Sequence, residues 1–91
     1  MFIVVSYDIP DDRRRMKLFK LLKDYGRHTQ YSVFECDLRP QQFAELRRRI
    51  RELVDARQDH VRFYSLCAAD VRSIRHIGGG APAVDPQFYL L

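Results

Sequence analysis

A single carboxylate, Asp8, closes the apolar run Met1-Phe2-Ile3-Val4-Val5-Ser6-Tyr7 and stands just before a segment dense in cations: Arg13, Arg14, Arg15 and Lys17. A strand-end carboxylate can ligate a divalent cation, and guanidinium groups beside it can hold phosphate oxygens. An Asp before a proline-containing turn often does no more than cap backbone amides, and on spacing alone that reading comes first. One carboxylate is too few for Mg²⁺, which takes an octahedral shell of oxygens. A two-fold axis near Asp8 would bring two copies together, with water and phosphate oxygens completing the shell.

The remaining chemistry is sparser. Arg47, Arg48, Arg49 and Arg51 form a second basic cluster, but Glu45 to Arg49 and Arg48 to Glu52 are i,i+4 pairs that account for part of it. Tyr7, Tyr31, Phe34, Phe63 and Tyr64 invite a base-stacking reading, as on the sheet faces of RNA binders. Without a glycine-flanked aromatic signature, core and dimer packing is the preferred reading for most of them. Gly78-Gly79-Gly80 lacks the Lys-Ser/Thr of a phosphate loop and reads as a hinge. Cys36 and Cys67 are too few for a disulfide framework or four zinc ligands, and His28, His60 and His76 match no finger spacing, so both cysteines read as buried thiols.

The elements that must position these groups follow from hydrophobic period. Phe2 to Tyr7 is a continuous apolar and β-branched run, which predicts a strand buried on both faces. Pro10-Asp11-Asp12 starts a helix with an Asp as N-cap, an apolar stripe of Leu18, Phe19, Leu22 and Tyr25, and Gly26 as its C′ stop. His28 to Leu38 reads as one long strand, or a very short one followed by a longer one. Pro40 opens a second helix, with Phe43, Leu46, Ile50, Leu53 and Val54 at i, i+3, i+7, i+10 and i+11. His60 to Cys67 is a further strand, Val71 to Ile77 a weaker one, and the tail ends in Phe88-Tyr89-Leu90-Leu91.

This order predicts an α+β domain with two helices on one face of a small sheet. The opposite face is left uncovered within one chain, so sheet-to-sheet dimerisation is the economical answer. The 91 residues carry 31% charged and 46% hydrophobic residues, which suits one small folded domain and excludes a disordered chain. No stretch approaches the ~20 apolar residues of a membrane span, and the N-terminal run lacks signal-peptide features, so a cytoplasmic location is expected. The net charge of +4 comes from 16 Lys plus Arg, thirteen of them Arg, a choice that suits phosphate but that GC-rich codons also produce.

Taken together, Tyr7-Asp8-Ile9-Pro10-Asp11-Asp12-Arg13-Arg14-Arg15, Lys17-Leu18, Leu22-Lys23-Asp24-Tyr25-Gly26 and, above all, Gln30-Tyr31-Ser32-Val33-Phe34-Glu35-Cys36 resemble the CRISPR-associated Cas-two family, across essentially the whole chain. The resemblance implies a single ferredoxin-like domain over 1–91, a two-layer sandwich on an antiparallel sheet. It also implies a homodimer with sheets face to face, and a hinge and C-terminal tail strand over 78–91 that is exchanged with the partner.

Two activities follow from the resemblance. One is Mg²⁺- or Mn²⁺-dependent endonuclease action on RNA or DNA, with Asp8 as catalytic and metal residue and the ion held between two subunits. The other is scaffolding: a dimer that binds duplex DNA or single-stranded RNA and bridges subunits of the CRISPR integrase, the Cas-one protein, in spacer acquisition. The nucleic-acid-binding residues it implies are Tyr7, Arg13, Arg14, Arg15, Lys17, Arg27, His28 and Phe34. His28 stands where the family commonly has Arg, with Arg27 one place earlier, and a neutral imidazole does not replace that charge. A non-catalytic RNA-binding ferredoxin-like domain outside CRISPR systems is the alternative.

Overall fold

The computed structural model describes residues 1–78. In chain order it contains β1 (Phe2–Asp8), α1 (Asp12–Lys23), β2 (Arg27–Gln30), β3 (Val33–Asp37), α2 (Pro40–Leu53), β4 (His60–Leu66) and the short α3 (Ala68–Arg72). The expected tail strand, and all of the expected hinge beyond Gly78, lie outside the described residues. Gly78 itself has φ +84°, a conformation open to glycine at little cost.

The strands form one antiparallel sheet in the order β2-β3-β1-β4. The period-2 alternation of β1 separates the two faces. Ile3, Val5 and Tyr7 are buried beneath α1 and α2 with Phe34, Cys36, Leu18, Leu22, Leu46 and Ile50, whereas Phe2, Val4 and Ser6 are only half-buried. Among the described residues, then, helices cover β1 on one face only, and to that extent the expectation of burial on both is corrected. His28 to Leu38 resolves into two short strands joined at Tyr31-Ser32, with a bulge between His28 and Gln30.

α1 begins as its sequence predicts, because the Asp11 carboxylate accepts a hydrogen bond from the Arg14 backbone N–H at 2.9 Å. Gly26 is not its left-handed stop; Gly78 is the only described residue with positive φ. A Cβ at Gly26 would instead lie 2.4 Å from both the Cys36 Sγ and the Glu35 carbonyl oxygen, so the glycine lets the chain turn closely against β3. α2 starts with Pro40 at its first turn and the Gln42 side chain accepting from the Arg39 N–H at 2.9 Å.

The weak strand expected over Val71 to Ile77 is a helical turn, α3, followed by irregular chain. Asp70 accepts from the Cys67 N–H at 3.3 Å and its Sγ at 3.1 Å, which favours a helix start over continued extension. Cys36 is fully buried but Cys67 is exposed, and both are free thiols, so the second buried-thiol expectation is corrected. Burial, with the Glu35 charge nearby, pushes the Cys36 thiol up to about 11. Among the described residues no helix is long and apolar enough to cross a membrane.

Candidate nucleic-acid interface and the Asp8 site

Pairing registers place Asp8 on the uncovered face of the sheet. It stands opposite His60 on β4, and Ser6, which shares its side of β1, stands opposite Arg62. Its carboxylate is exposed and accepts no hydrogen bond among the described residues; Asp11, not Asp8, caps α1. The capping reading of Asp8 therefore has no backbone amide to support it. Two grooves meet at Tyr7 and Asp8. One, of about 350 Å³, is lined by Ser6, His60, Arg62 and Tyr64 as well. The other, of about 420 Å³, adds Ile9, Pro10, Arg15, Tyr31 and Ser32.

No group of three or more His, Cys, Asp or Glu able to hold a metal ion occurs among the described residues. At this end of β1 one chain thus offers a divalent cation a single carboxylate, that of Asp8. The donor set fits such an ion only when a second copy contributes another Asp8, and the position of Asp8 on the uncovered face is compatible with that.

The cations of α1 divide sharply. Arg14 turns inward, where its Nε and NH2 donate to the Asp59 carboxylate at 2.8 and 3.2 Å, and Asp59 also accepts from the Asp55 N–H at 2.8 Å. This pair holds the Asp59 carboxyl below its usual range, because hydrogen bonding to Arg14 outweighs the cost of burial. Arg14 is a brace between α1 and the start of β4, and its expected role as a free phosphate contact is corrected. Arg15 donates to the carbonyls of Ile9 and Pro10 at 2.9 and 3.4 Å and pairs with Asp12, so it mainly shapes the loop that follows Asp8.

Arg13 and Lys17 are exposed and make no ion pair among the described residues. Lys20, absent from the sequence-based set, joins them: positions 13, 17 and 20 follow i, i+4, i+7 and form one stripe. On α2, Arg48 is held between Glu45 and Glu52, Arg47 lies 4.4 Å from the Phe43 ring centroid, and Arg49 donates to the Tyr25 hydroxyl at 3.0 Å.

Phe34 is fully buried, its ring against those of Tyr7, Phe19 and His28, and cannot meet a ligand. Its expected nucleic-acid role is corrected on that ground. Tyr7 is also buried, presenting only its rim to the two grooves; burial raises its phenol above the ordinary value and the Arg15 charge offsets part of the rise. His28 packs edge-on to Phe19 at 5.0 Å and its Nε2 lies 2.7 Å from the Tyr31 carbonyl, which makes it a support for the β2–β3 turn. Arg27 is half-buried on the uncovered face, opposite Glu35. Sequence reading did not connect His60, Arg62 and Tyr64 with Asp8, because only the β1–β4 register brings them together. The Arg62 guanidinium hydrogen-bonds to Tyr64, which raises the pKa of Arg62.

A four-stranded antiparallel sheet with two helices on one face, and a helical stripe of free cations, defines a small ferredoxin-like α+β protein with a basic surface. The profile of the family described as CRISPR associated protein Cas2 matches residues 1–74. A Synechocystis sp. protein named CRISPR-associated endoribonuclease Cas2 3 is 45% identical over 87 residues, covering 94% of each chain. The crystal structure of Streptococcus pyogenes Cas2 matches with a TM-score of 0.77 at 32% identity, over 86% of this chain and 100% of that one. A chain from a partial Cas6-RT-Cas1–Cas2 complex matches with a TM-score of 0.74 at 28% identity, over 93% of each chain. The chain belongs to the CRISPR-associated Cas2 family.

Proposed function

We propose that this chain is a homodimeric, nucleic-acid-binding scaffold of CRISPR adaptation in the cytoplasm that joins Cas1 integrase subunits during spacer acquisition. The stripe of Arg13, Lys17 and Lys20, free of ion pairs among the described residues, carries the binding reading. Three adjacent unpaired cations on one helix face suit a phosphate backbone and serve no internal packing. The partner reading draws on the structural match to a chain of the Cas1–Cas2 complex.

Dimerisation follows from the face that the helices leave open. Phe2, Val4, Val33 and Leu66 are half-buried there and Tyr64 is 46% exposed. A second copy is the partner that would cover this face symmetrically.

The same arrangement supports a second activity, divalent-dependent phosphodiester cleavage, which the endoribonuclease name of the Synechocystis relative favours. Two Asp8 carboxylates, one per chain, would hold one Mg²⁺ or Mn²⁺, which when bound supplies Lewis acidity and an activated water. The α1 cations would hold the strand, and Arg15 would fix the loop that orients Asp8. Titration with Mn²⁺ should give one ion per two chains, and Asp8→Asn should abolish both this binding and cleavage while light scattering still reports a dimer. Cleavage by Asp8→Asn equal to the parent would refute the catalytic part, and a stable monomer at micromolar concentration would refute the dimer.

A further inference from the structure

Tyr31 is 97% exposed, the barest aromatic side chain among the described residues. A tyrosine ring with no neighbour leaves a large apolar body in water, and such rings ordinarily find cover. The backbone beneath it is nevertheless fixed. The Ser32 carbonyl accepts from the Tyr7 N–H at 3.1 Å, tying the turn to β1. The Tyr31 carbonyl is engaged by His28 Nε2 at 2.7 Å, and the His28 ring, itself exposed on its outer side, lies against Phe19 and Phe34 with ring centroids 5.0 Å away in each case. The ring is thus presented outward from a hydrogen-bonded turn.

Its position is specific. Tyr31 and Arg15 line the groove on one side of Asp8, and His60 and Arg62 line the groove on the other. A strand whose phosphate lay at Asp8 would have a nucleotide on each side of that phosphate, and the one toward the β2–β3 turn would lie along the groove that Tyr31 lines. Among the described residues, the one cation lining the groove on that side is Arg15.

We propose that Tyr31 is a stacking platform for an unpaired nucleobase next to the phosphate at Asp8, so that this site prefers a single strand, flap or overhang to a continuous duplex. The inference rests on the reading that a nucleic-acid strand passes Asp8. Stacking on an aromatic ring tolerates any base, so the preference is for an unpaired base and not for a sequence. In a continuous duplex both faces of each internal base are already stacked, and Tyr31 has nothing to add.

The test uses the full chain in EDTA with a single-stranded oligonucleotide carrying 2-aminopurine, whose fluorescence is quenched by stacking. The parent and Tyr31→Phe should quench it. Tyr31→Ala should lose the quench and bind about tenfold more weakly, within the range of one base–aromatic stack. Affinity for the matching blunt duplex should be the same for parent and Tyr31→Ala. No quench by the parent, or full quench and affinity in Tyr31→Ala, overturns the proposal. So does an unchanged quench accompanied by a lower light-scattering mass in Tyr31→Ala, which would make the ring a protein contact. Cleavage is measured separately with Mn²⁺, so its loss in Asp8→Asn with quenching intact leaves stacking standing, and quenching can fail while Asp8-dependent cleavage persists.

Discussion

Neutralising single cations and measuring duplex affinity against salt separates the arginines that bind from those that brace. Arg13, Lys17 and Lys20 lie on one stripe of α1 spanning about 10 Å at 1.5 Å rise per residue. Three phosphate contacts per chain, six in a dimer engaging one duplex, give a slope of log affinity against log salt of about −5. Affinity should then fall about 10³-fold between 50 and 200 mM salt. Lys17→Gln removes a contact from each chain, lowering the slope by about 2 and the fall to about 10²-fold. Arg48→Gln should leave the slope unchanged, because Glu45 and Glu52 already neutralise Arg48 across one turn. Fluorescence anisotropy of a labelled duplex over that salt range reads both variants directly. A slope flattened by Arg48→Gln as much as by Lys17→Gln, or untouched by Lys17→Gln, would refute the assignment of the stripe.

Three further outcomes probe the frame that holds the site. Gly26→Ala should cost about 1–3 kcal/mol in urea unfolding, since its Cβ meets the Glu35 backbone carbonyl, which cannot swing aside; an unchanged midpoint would show that the turn relaxes freely. The Asp59 carboxyl is held below its unfolded value, so its contribution is complete above about pH 4 and lost as pH falls through the lowered native pKa. Urea midpoints should therefore drop below about pH 4 in the parent, with a flatter acid limb in Asp59→Asn, and equal limbs would contradict the brace. A thiol reagent at pH 8 should modify the exposed Cys67 rapidly and leave Cys36 unmodified until the protein unfolds, because Cys36 is buried and its pKa is about 11.

Much of this arrangement was legible where period decides structure. The apolar rows of α1 and α2 and the acidic end of β1 depend on local spacing, and Asp11 caps α1 from within its own first turn. What was hidden depends on distance and parity. Nothing near Arg14 in sequence reveals Asp59, 45 residues away, yet that pair removes Arg14 from the phosphate-binding set. Phe34 and Tyr31 sit three positions apart and look alike as aromatics, but the two-residue turn leaves one in the core and the other in solvent. Where β2 ends and β3 begins depends on the bulge between His28 and Gln30, and no residue type there announces it. The β-branched Val71, Ile74 and Ile77 suggested a strand, and Asp70 redirected that segment by capping the turn before them.

The most direct test of the scaffold role is spacer integration in a reaction reconstituted from the purified chain, its Cas1 integrase, a donor duplex and a target plasmid. Replacing Arg13, Lys17 and Lys20 together by Gln should reduce integration about tenfold or more at physiological salt, because it removes all of the α1 phosphate contacts. Asp8→Asn should integrate at close to the parent rate, because the scaffold needs no metal. Parent-level integration by the triple variant, or its abolition by Asp8→Asn with the dimer intact, would contradict the scaffold role.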